Sequence, residues 1–284
     1  MKIGFQGIPG SYSEAAVQYF LNHQPELAST SVDLLSYDHF NPLMADLAQG
    51  KMDFAVFPVE NSTTGIITRT MDLFKYQPVL AVGQVYQAIQ HHLLALPGIP
   101  IESLREVYSH PEALSQSQEF FLQFPWLIQR PYSDTAMSAK KVALEGDPKQ
   151  AALASKRAGD LYGLSSLAGN IQNQKSNQTR FLLVKHKNKM TWDQVQSSHL
   201  MLYVETPHEP GALLKLLQVF EVFHCNLEAL NARPIPDQPF IYGFFIQIDI
   251  SQMIGQAHAL GTLVANQTTY HQIIGDFAPT KTII

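Results

Sequence analysis

The sequence predicts an α/β protein with two domains. From residue 1 to about residue 184, short apolar runs alternate with segments of helical periodicity, a pattern typical of a sheet covered by helices. From residue 199 onward the predicted elements follow the order β-α-β-β-α-β, which is the ferredoxin-like arrangement. Residues 185–198 are mostly Lys, His, Asn, Gln and Ser without an apolar period, which predicts a linker. We therefore expect domains at 1–184 and 199–284.

Several helices of the first domain carry a start signal. Ser11 followed by Glu14 is a capping-box pattern, Pro111 stands at a first helical position, and Asp134 offers an N-cap oxygen. The predicted strands cover 2–5, 54–59, 106–109, 151–155 and 181–184. The predicted helices cover 13–21, 40–49, 112–121 and 135–144.

The second domain has a clear helical face. Leu213, Leu217 and Phe220 lie close together on its first predicted helix, as packing on a sheet requires. The predicted strands cover 199–205, 227–234, 240–250 and 272–278, and the predicted helices cover 210–223 and 256–266.

Composition and charge narrow the class of ligand. A chain of 284 residues with 45% hydrophobic composition can fill two cores. The net charge of -5 gives no global attraction to nucleic acid or anionic lipid, so we expect a small-molecule ligand. No apolar run approaches the roughly 20 residues that span a bilayer. The single Cys225 and the absence of signal-peptide features at the N-terminus predict a cytoplasmic protein.

Two polar residues directly precede one of the predicted buried strands. Thr179 and Arg180 directly precede the apolar run 181–184, so the strand can hold a hydroxyl and a guanidinium rigidly at its end. A guanidinium binds a carboxylate through two parallel hydrogen bonds, although an ion pair with a neighbouring acid is an equally simple role. Regular strand geometry places the two side chains on opposite faces.

Other polar residues follow predicted strands. Asn61 and Ser62 come after the strand 54–59, at the carboxyl end where open α/β sheets bind ligands. Ser62 to Thr64 supply hydroxyls and, as we expect, backbone N–H groups at a helix start.

A second group lies at helix starts. Ser109 ends a strand and can present its hydroxyl while helping to cap the helix that carries Gln116. Ser11 and Tyr12 lie in a Gly-rich loop that permits close backbone approach. Helix capping and solvation are the ordinary structural roles of these side chains.

Four segments occur in the order in which one enzyme family carries them: Gly7 to Glu14, Pro58 to Ser62, Tyr108 to Pro111 and Thr179 to Phe181. Over nearly its whole length the chain resembles the prephenate dehydratases, which convert prephenate to phenylpyruvate. The resemblance implies a catalytic domain of two α/β lobes, like a periplasmic binding protein, and a reaction that needs neither a metal nor a cofactor.

The resemblance also implies roles for individual residues. It places Thr179 at the family's catalytic threonine, where a weakly acidic hydroxyl acts as a hydrogen-bond donor to the departing hydroxyl of the substrate. The other catalytic positions that it implies are Asn61, Ser109 and Gln116. The substrate-binding positions that it implies are Arg180, Ser11, Tyr12, Ser62, Thr64 and Phe181.

The second domain resembles an ACT domain, a module that commonly binds amino acids. Phenylalanine is the implied effector, and assembly into a homodimer or homotetramer through the ACT and catalytic domains is expected. Asn231 and Ala232 stand where the family usually has Glu and Ser, so effector binding and a domain retained only for assembly both stay open. The implied effector-binding positions are Gly211, Ala212, Leu213, Asn231, Ala232, Arg233 and Pro234.

Other functions stay open as well. Arogenate dehydratase performs the same elimination on an amino analogue of the substrate, and a non-catalytic solute-binding or amino-acid-sensing protein uses the same kind of cleft. From the length of the sequence we expect no fused chorismate mutase domain. His91 and His92 lack an H-E-x-x-H pattern or a cysteine partner, so we expect packing or hydrogen bonding rather than metal binding.

Overall fold

The computed structural model describes residues 1–24, 27, 31–278, 280 and 282–284. The described residues leave out positions 25, 26 and 28–30 of the predicted first domain. They also leave out positions 279 and 281 of the predicted second domain. Within the described part of the chain, no helix is long and apolar enough to cross a membrane.

Fifteen strands and nine α-helices are labelled here in chain order. The strands are β1 (Lys2–Gln6), β2 (Asp33–Tyr37), β3 (Phe54–Asn61), β4 (Gly65–Ile66), β5 (Val79–Ala88), β6 (His92–Ala95), β7 (Glu106–Ser109), β8 (Ile128–Pro131), β9 (Gln150–Ala154), β10 (Ser165–Ala168), β11 (Gln178–His186), β12 (His199–Glu205), β13 (Asn226–Ile235), β14 (Gln238–Asp249) and β15 (Tyr270–Phe277). The helices are α1 (Tyr12–His23), α2 (Phe40–Ala48), α3 (Thr68–Met71), α4 (Pro111–Ser115), α5 (Gln118–Gln123), α6 (Thr135–Glu145), α7 (Lys156–Tyr162), α8 (Ala212–Val222) and α9 (Ala257–Asn266).

The strands form two sheets. The larger has the order β13-β14-β12-β15-β5-β11-β3-β1-β2, with β4 beside β3, and the smaller has the order β10-β6-β9-β7-β8. Strands β1 to β5 and β11 make the first lobe, and the smaller sheet makes the second. The chain crosses between the lobes twice, from β5 to β6 and from β10 to β11. The predicted two-lobed α/β architecture is therefore confirmed.

The C-terminal strands continue the sheet of the first lobe. Strand β15 runs parallel to β5, with Gly275 opposite Ala81. The order β13-β14-β12-β15 with two helices is the predicted ferredoxin-like arrangement. The C-terminal domain thus packs directly against the first lobe.

Strand β11 is buried on both faces. Phe181 and Leu183 pack in the core beside Phe20 of α1. Leu182 and Val184 pack in the core on the other face, which includes residues of α2 and of the C-terminal domain. A strand held from both sides is a rigid support for the residues at its start.

Two of the predicted helix caps are confirmed. The Ser11 hydroxyl accepts from the backbone N–H of Glu14 at 3.2 Å, and the Asp134 carboxylate accepts from that of Met137 at 2.7 Å. The reciprocal half of the predicted capping box is wrong. The Glu14 carboxylate accepts from the Gly10 N–H at 2.8 Å instead of that of Ser11. This hydrogen bond therefore holds the loop between β1 and α1 at Gly10, one residue before Ser11.

Two other predictions need correction. The predicted helix 112–121 is two short helices, α4 and α5, interrupted at Gln116 and Ser117, where the Gln116 carbonyl accepts from the Asn173 N–H. No helix starts at 62–65. Gly65 and Ile66 instead form β4, a hairpin partner of β3.

The predicted linker contains ordered structure. Strand β11 runs on to His186, and Met190 and Trp192 are buried against the C-terminal sheet. A Cβ added to Gly261 of α9 would lie 2.2 Å from the indole of Trp192, so the contact is close. The exact domain limits stay a prediction. The elements that the sequence did not predict include β2, β5, β6, β8, β10 and α7.

Candidate active site

The start of β11 lies beside the end of β3. These strands are antiparallel, and Thr179 stands directly opposite Asn61. Both side chains are 8% exposed. The Asn61 Nδ2 atom lies 3.0 Å from the Thr179 Oγ1 atom. Sheet pairing thus joins two predicted catalytic residues that are 118 positions apart in sequence.

The direction of this hydrogen bond is fixed by the backbone. The N–H groups of Thr63 and Thr64 donate to Asn61 Oδ1 at 3.0 and 3.1 Å, so that atom is the amide oxygen. Asn61 Nδ2 therefore donates to Thr179 Oγ1. Because the Thr179 oxygen accepts from Asn61, its own proton is free to donate to a ligand. A donor held in this way can stabilise negative charge that develops on a leaving oxygen.

A third amide joins this pair to the second lobe. Asn177 is 2% exposed, and its Oδ1 accepts from Asn61 Nδ2 at 2.7 Å. Its Nδ2 donates to Gln116 Oε1 at 2.7 Å. The predicted site residue Gln116 is therefore linked to Asn61 through Asn177. Asn177 itself was not predicted. In the sequence, Asn177 belongs to a polar stretch. The one available signal was its position two residues before Thr179, since side chains two positions apart on an extended segment point to the same side.

His91 lies near the same amides. It is 2% exposed, and among the described residues neither ring nitrogen has a hydrogen-bond partner. The Tyr12 ring packs against it edge to face, with the centroids 6.2 Å apart. Burial lowers the pKa of His91 to about 4, against an opposing effect of the Gln116 side chain. The imidazole is therefore neutral at physiological pH.

The Gly-rich loop before α1 connects the lobes. The Tyr12 hydroxyl donates to the Gln90 carbonyl at 2.7 Å, and Ser11 caps α1. The hydroxyls of Ser155 and Tyr162, from the second lobe, donate to the carbonyls of Gly10 and Pro9. The substrate contacts predicted for Ser11 and Tyr12 stay predictions, and both side chains already hold the loop in place.

The predicted hydroxyl of Ser109 is used inside the second lobe. Ser109 is fully buried and donates to the Leu153 carbonyl at 2.6 Å. It does not cap α4. That position belongs to His110, whose Nδ1 accepts from the Glu112 N–H at 3.2 Å. The Ser109 hydroxyl thus already has an acceptor inside the second lobe, and its catalytic role stays a prediction.

Ser62 and Thr64 stabilise the turn after β3. The Ser62 hydroxyl donates to the Ser176 carbonyl at 3.1 Å and accepts from the Gln178 N–H at 2.9 Å. The Thr64 hydroxyl lies 3.4 Å from Asn61 Oδ1. These contacts hold the turn and the start of β11 together beside Thr179. Substrate binding by these two hydroxyls stays a prediction.

Arg180 and Phe181 are buried in contacts with other parts of the protein. Arg180 is 7% exposed, and its Nη2 atom donates to Gln247 Oε1 of the C-terminal domain at 2.5 Å. Its Nη1 atom lies 3.7 Å from a Glu60 carboxylate oxygen. Because strand side chains alternate, Arg180 points to the opposite face from Thr179. The structure thus gives no support to a carboxylate clamp at Arg180, and Phe181 belongs to the core.

Titratable groups near the start of α4 have shifted pKa values. Burial, with a further effect of the Arg69 guanidinium, lowers the pKa of His110. Burial raises the pKa of Asp134, against the effect of the Met137 N–H. Arg69 belongs to α3 of the first lobe and His110 to the second, so a cation of one lobe influences a residue of the other.

The predicted effector positions separate into two places. Gly211, Ala212 and Leu213 line a cavity of about 370 Å³, together with Tyr242 and Phe244. Gly211 has φ 80°, which favours glycine, and α8 starts immediately after it.

The other four positions lie on β13. Arg233 binds the Asp72 carboxylate of the first lobe through Nε at 3.0 Å and through Nη2, and the Pro234 carbonyl accepts from Lys75 at 2.8 Å. Asn231 and Ala232 pair with Phe245 and Phe244 on β14. Arg233 and Pro234 therefore contact the first lobe and do not line the cavity.

One trio of side chains has metal-ligating atoms within 4.8 Å of one another among the described residues: His199, Glu228 and Asp249. His199 Nε2 already lies 3.1 Å from Glu228 Oε1, and Asp249 accepts from the Ser251 N–H at 2.7 Å. His199 and Glu228 thus bond with each other, Asp249 bonds with the backbone, and no metal is assigned to the three groups.

Comparison with known proteins identifies the family. The family model described as prephenate dehydratase matches residues 3–189, which contain Asn61, Gln116, Asn177 and Thr179. The chain belongs to the prephenate dehydratase family. It is 30% identical over 294 residues to "Arogenate dehydratase/prephenate dehydratase 2, chloroplastic" of Arabidopsis thaliana, covering 100% of this chain and 74% of that protein.

Another relative is longer than this chain. Identity is 32% over 249 residues to "Bifunctional chorismate mutase/prephenate dehydratase" of Enterobacter agglomerans, covering 87% of this chain and 62% of the relative. Among solved structures, the prephenate dehydratase of Arthrobacter aurescens in complex with L-Phe superposes with a TM-score of 0.82 at 24% identity, covering 98% of this chain and 90% of that chain. This similarity shows that the two chains share a fold.

Proposed function

We propose that this enzyme is a prephenate dehydratase, a carbon–oxygen lyase that converts prephenate to phenylpyruvate. Family membership over residues 3–189 supports the proposal. The observation that carries it is the Thr179 hydroxyl, which accepts from Asn61 at 3.0 Å and keeps its own proton for a ligand.

The reaction needs a donor at one oxygen. In prephenate, the ring carboxylate leaves as carbon dioxide, and the electron pair of its C–C bond enters the ring. The C–O bond at the opposite ring carbon breaks, and the hydroxyl leaves as water after taking up one proton that the solvent supplies. Aromatisation drives both cleavages, so the protein must chiefly hold the ring and stabilise the departing oxygen. Thr179, rigidly held at the start of β11, is the group that we assign to that oxygen.

Neutral side chains from both lobes make up the proposed site. Asn61 and Thr179 come from the first lobe, Gln116 comes from the second, and all three are linked through Asn177. Neutral donors in a water-poor cleft stabilise charge more strongly than they do in water. The neutral His91 contributes to the same environment.

Arogenate is a second candidate substrate. The Arabidopsis relative carries both names, arogenate and prephenate dehydratase. The two substrates differ in the side chain, which bears an amine in arogenate and a ketone in prephenate, and the elimination at the ring is identical. The assignments made to Thr179 and Asn61 therefore hold for either substrate.

The test is the conversion of each substrate by the purified protein. We expect prephenate to yield phenylpyruvate without an added cofactor, with a higher kcat/KM than that for the formation of phenylalanine from arogenate. Faster conversion of arogenate would assign the alternative activity. Binding of prephenate without any product would instead favour the non-catalytic binding protein.

We also propose that phenylalanine binds the C-terminal domain, which we interpret as an ACT domain. The cavity beside Gly211 is partly apolar, with Leu213, Tyr242 and Phe244 in its lining. The related Arthrobacter protein is described in complex with L-Phe. Arg180 donates to Gln247 of this domain from the residue next to Thr179, which supplies a route for coupling. Assembly as a homodimer or homotetramer and a cytoplasmic location stay predictions.

A further inference from the structure

The amide groups that link the lobes form a chain with one direction. Asn61 Oδ1 accepts from the backbone N–H groups of Thr63 and Thr64, which can only donate. Asn61 Nδ2 must therefore donate, and it donates to Asn177 Oδ1 at 2.7 Å. The orientation of the first amide thus determines which atom of Asn177 is the oxygen.

The same logic continues into the second lobe. Since Asn177 Oδ1 faces Asn61, its Nδ2 donates to Gln116 Oε1 at 2.7 Å. Gln116 Nε2 in turn donates to Glu112 Oε1 at 3.0 Å, and an ionised carboxylate can only accept. The chain therefore begins at backbone donors in the first lobe and ends at an obligatory acceptor in the second, so that no member can reverse alone.

Asn177 occupies the middle of this chain. Its carbonyl accepts from the Ile89 N–H at 2.9 Å, which fixes it between the two segments that cross from lobe to lobe. It is 2% exposed, so its amide has no water to replace a lost partner. Asn61, the residue that it holds, is the donor that leaves the Thr179 proton free.

We propose that Asn177 is a positioning residue of the active site, which holds the Asn61 amide so that the Thr179 hydroxyl donates into the cleft, and which joins this arrangement to Gln116 of the second lobe. The catalytic part of the proposal rests on the proposed function. The direction of the chain does not, because it follows from donors and acceptors alone.

The first test is Asn177→Ala in the full-length protein. We expect kcat with prephenate to fall about 10- to 100-fold, the scale of a slightly misplaced catalytic group, while KM changes less. Asn173→Ala is the control, since Asn173 is exposed in the same segment and its side chain accepts from the Glu119 N–H. We expect the control to change kcat less than about twofold.

The second test reverses part of the chain. In Asn177→Asp, an oxygen of the new carboxylate replaces Nδ2 and repels Gln116 Oε1. If the Gln116 amide flips, its Nε2 donates to the new carboxylate, but its Oε1 then repels the Glu112 carboxylate. Repulsion remains in either case. Adding Glu112→Gln removes it, because the new amide can donate to the flipped Gln116. We expect Asn177→Asp to lower both kcat and Tm, and the double variant to recover part of both beyond the sum of the single effects.

The outcomes separate the two proposals. Folded Asn177→Ala with the kcat of the wild type, or a double variant that recovers neither kcat nor Tm, overturns the positioning role while the proposed function stands. If the wild type converts neither substrate, the proposed function fails. The Tm values of the single and double variants then decide the direction of the chain: partial recovery supports it, and additive loss contradicts it.

Discussion

Acidification should destabilise this protein through one buried side chain. His91 is 2% exposed and neutral, with a pKa of about 4, whereas an unfolded histidine titrates near pH 6.5. Above pH 6.5, neither state binds the proton. As the pH falls from 6.5 towards 4, the unfolded state binds it first, and the folded state loses stability.

The magnitude follows from the two pKa values. A proton bound only in the unfolded state costs about 1.4 kcal/mol per pH unit, so this single site should remove about 2 kcal/mol between pH 7 and pH 5. The perturbation that isolates this contribution is His91→Gln, which keeps a polar side chain but removes the titration. Contributions from the other histidines and from the carboxylates are shared by both proteins and cancel in the comparison.

The assay is urea denaturation followed by circular dichroism at pH 7, 6 and 5. We expect the free energy of unfolding to fall less in His91→Gln than in the wild type, with the difference close to the value above. His92→Gln is the control. Burial also lowers the pKa of His92, but its side chain is only half-buried, so we expect a smaller difference. Parallel pH profiles for wild type and His91→Gln would refute the buried neutral imidazole.

Two further predictions concern the C-terminal domain. Asp72→Asn leaves Arg233 and the buried Lys75 without their carboxylate. We expect the free energy of unfolding, measured by urea denaturation, to fall by about 1 to 2 kcal/mol. This is less than the cost of breaking a fully buried pair, because Asp72 is 34% exposed. The exposed pair of Asp160 with Lys156 is the control, and an equal loss in Asp160→Asn would contradict the importance of the interdomain contact. Asn231→Glu with Ala232→Ser restores the usual family residues, so a phenylalanine titration should show stronger inhibition at similar basal kcat. Potent inhibition of the wild type with no gain in the variant would show that these groups do not set effector affinity.

Parts of the site were predictable because they depend on neighbouring strands. Thr179 precedes an apolar run and Asn61 follows one, so each could be placed at a strand end from sequence. Their direct pairing requires β11 to lie antiparallel beside β3, which the local pattern does not contain. The opposite orientation of Arg180 was expected from strand alternation, but its partner Gln247 lies in the other domain and left no local signal.

Other features were not predictable because they depend on tertiary partners. Asn177 looks like any residue of a polar loop until the lobes bring Asn61 and Gln116 to its two ends. The Glu14 carboxylate accepts from the Gly10 N–H and from the Arg157 guanidinium instead of from the Ser11 N–H. Arg157 belongs to α7 of the second lobe, so the local sequence does not reveal this partner. Trp192 lies in a polar segment, and its burial depends on the space above Gly261.

The central claim is that the Thr179 hydroxyl donates to the departing oxygen of the substrate, and it is tested most directly by the kcat of Thr179→Val and Thr179→Ser with prephenate. Valine keeps the shape but removes the donor, so we predict a loss of kcat on the order of 100-fold or more, with little change in KM or Tm. Serine keeps the hydroxyl and should retain kcat within about tenfold of the wild type. A folded Thr179→Val enzyme with near-normal kcat would contradict the assignment.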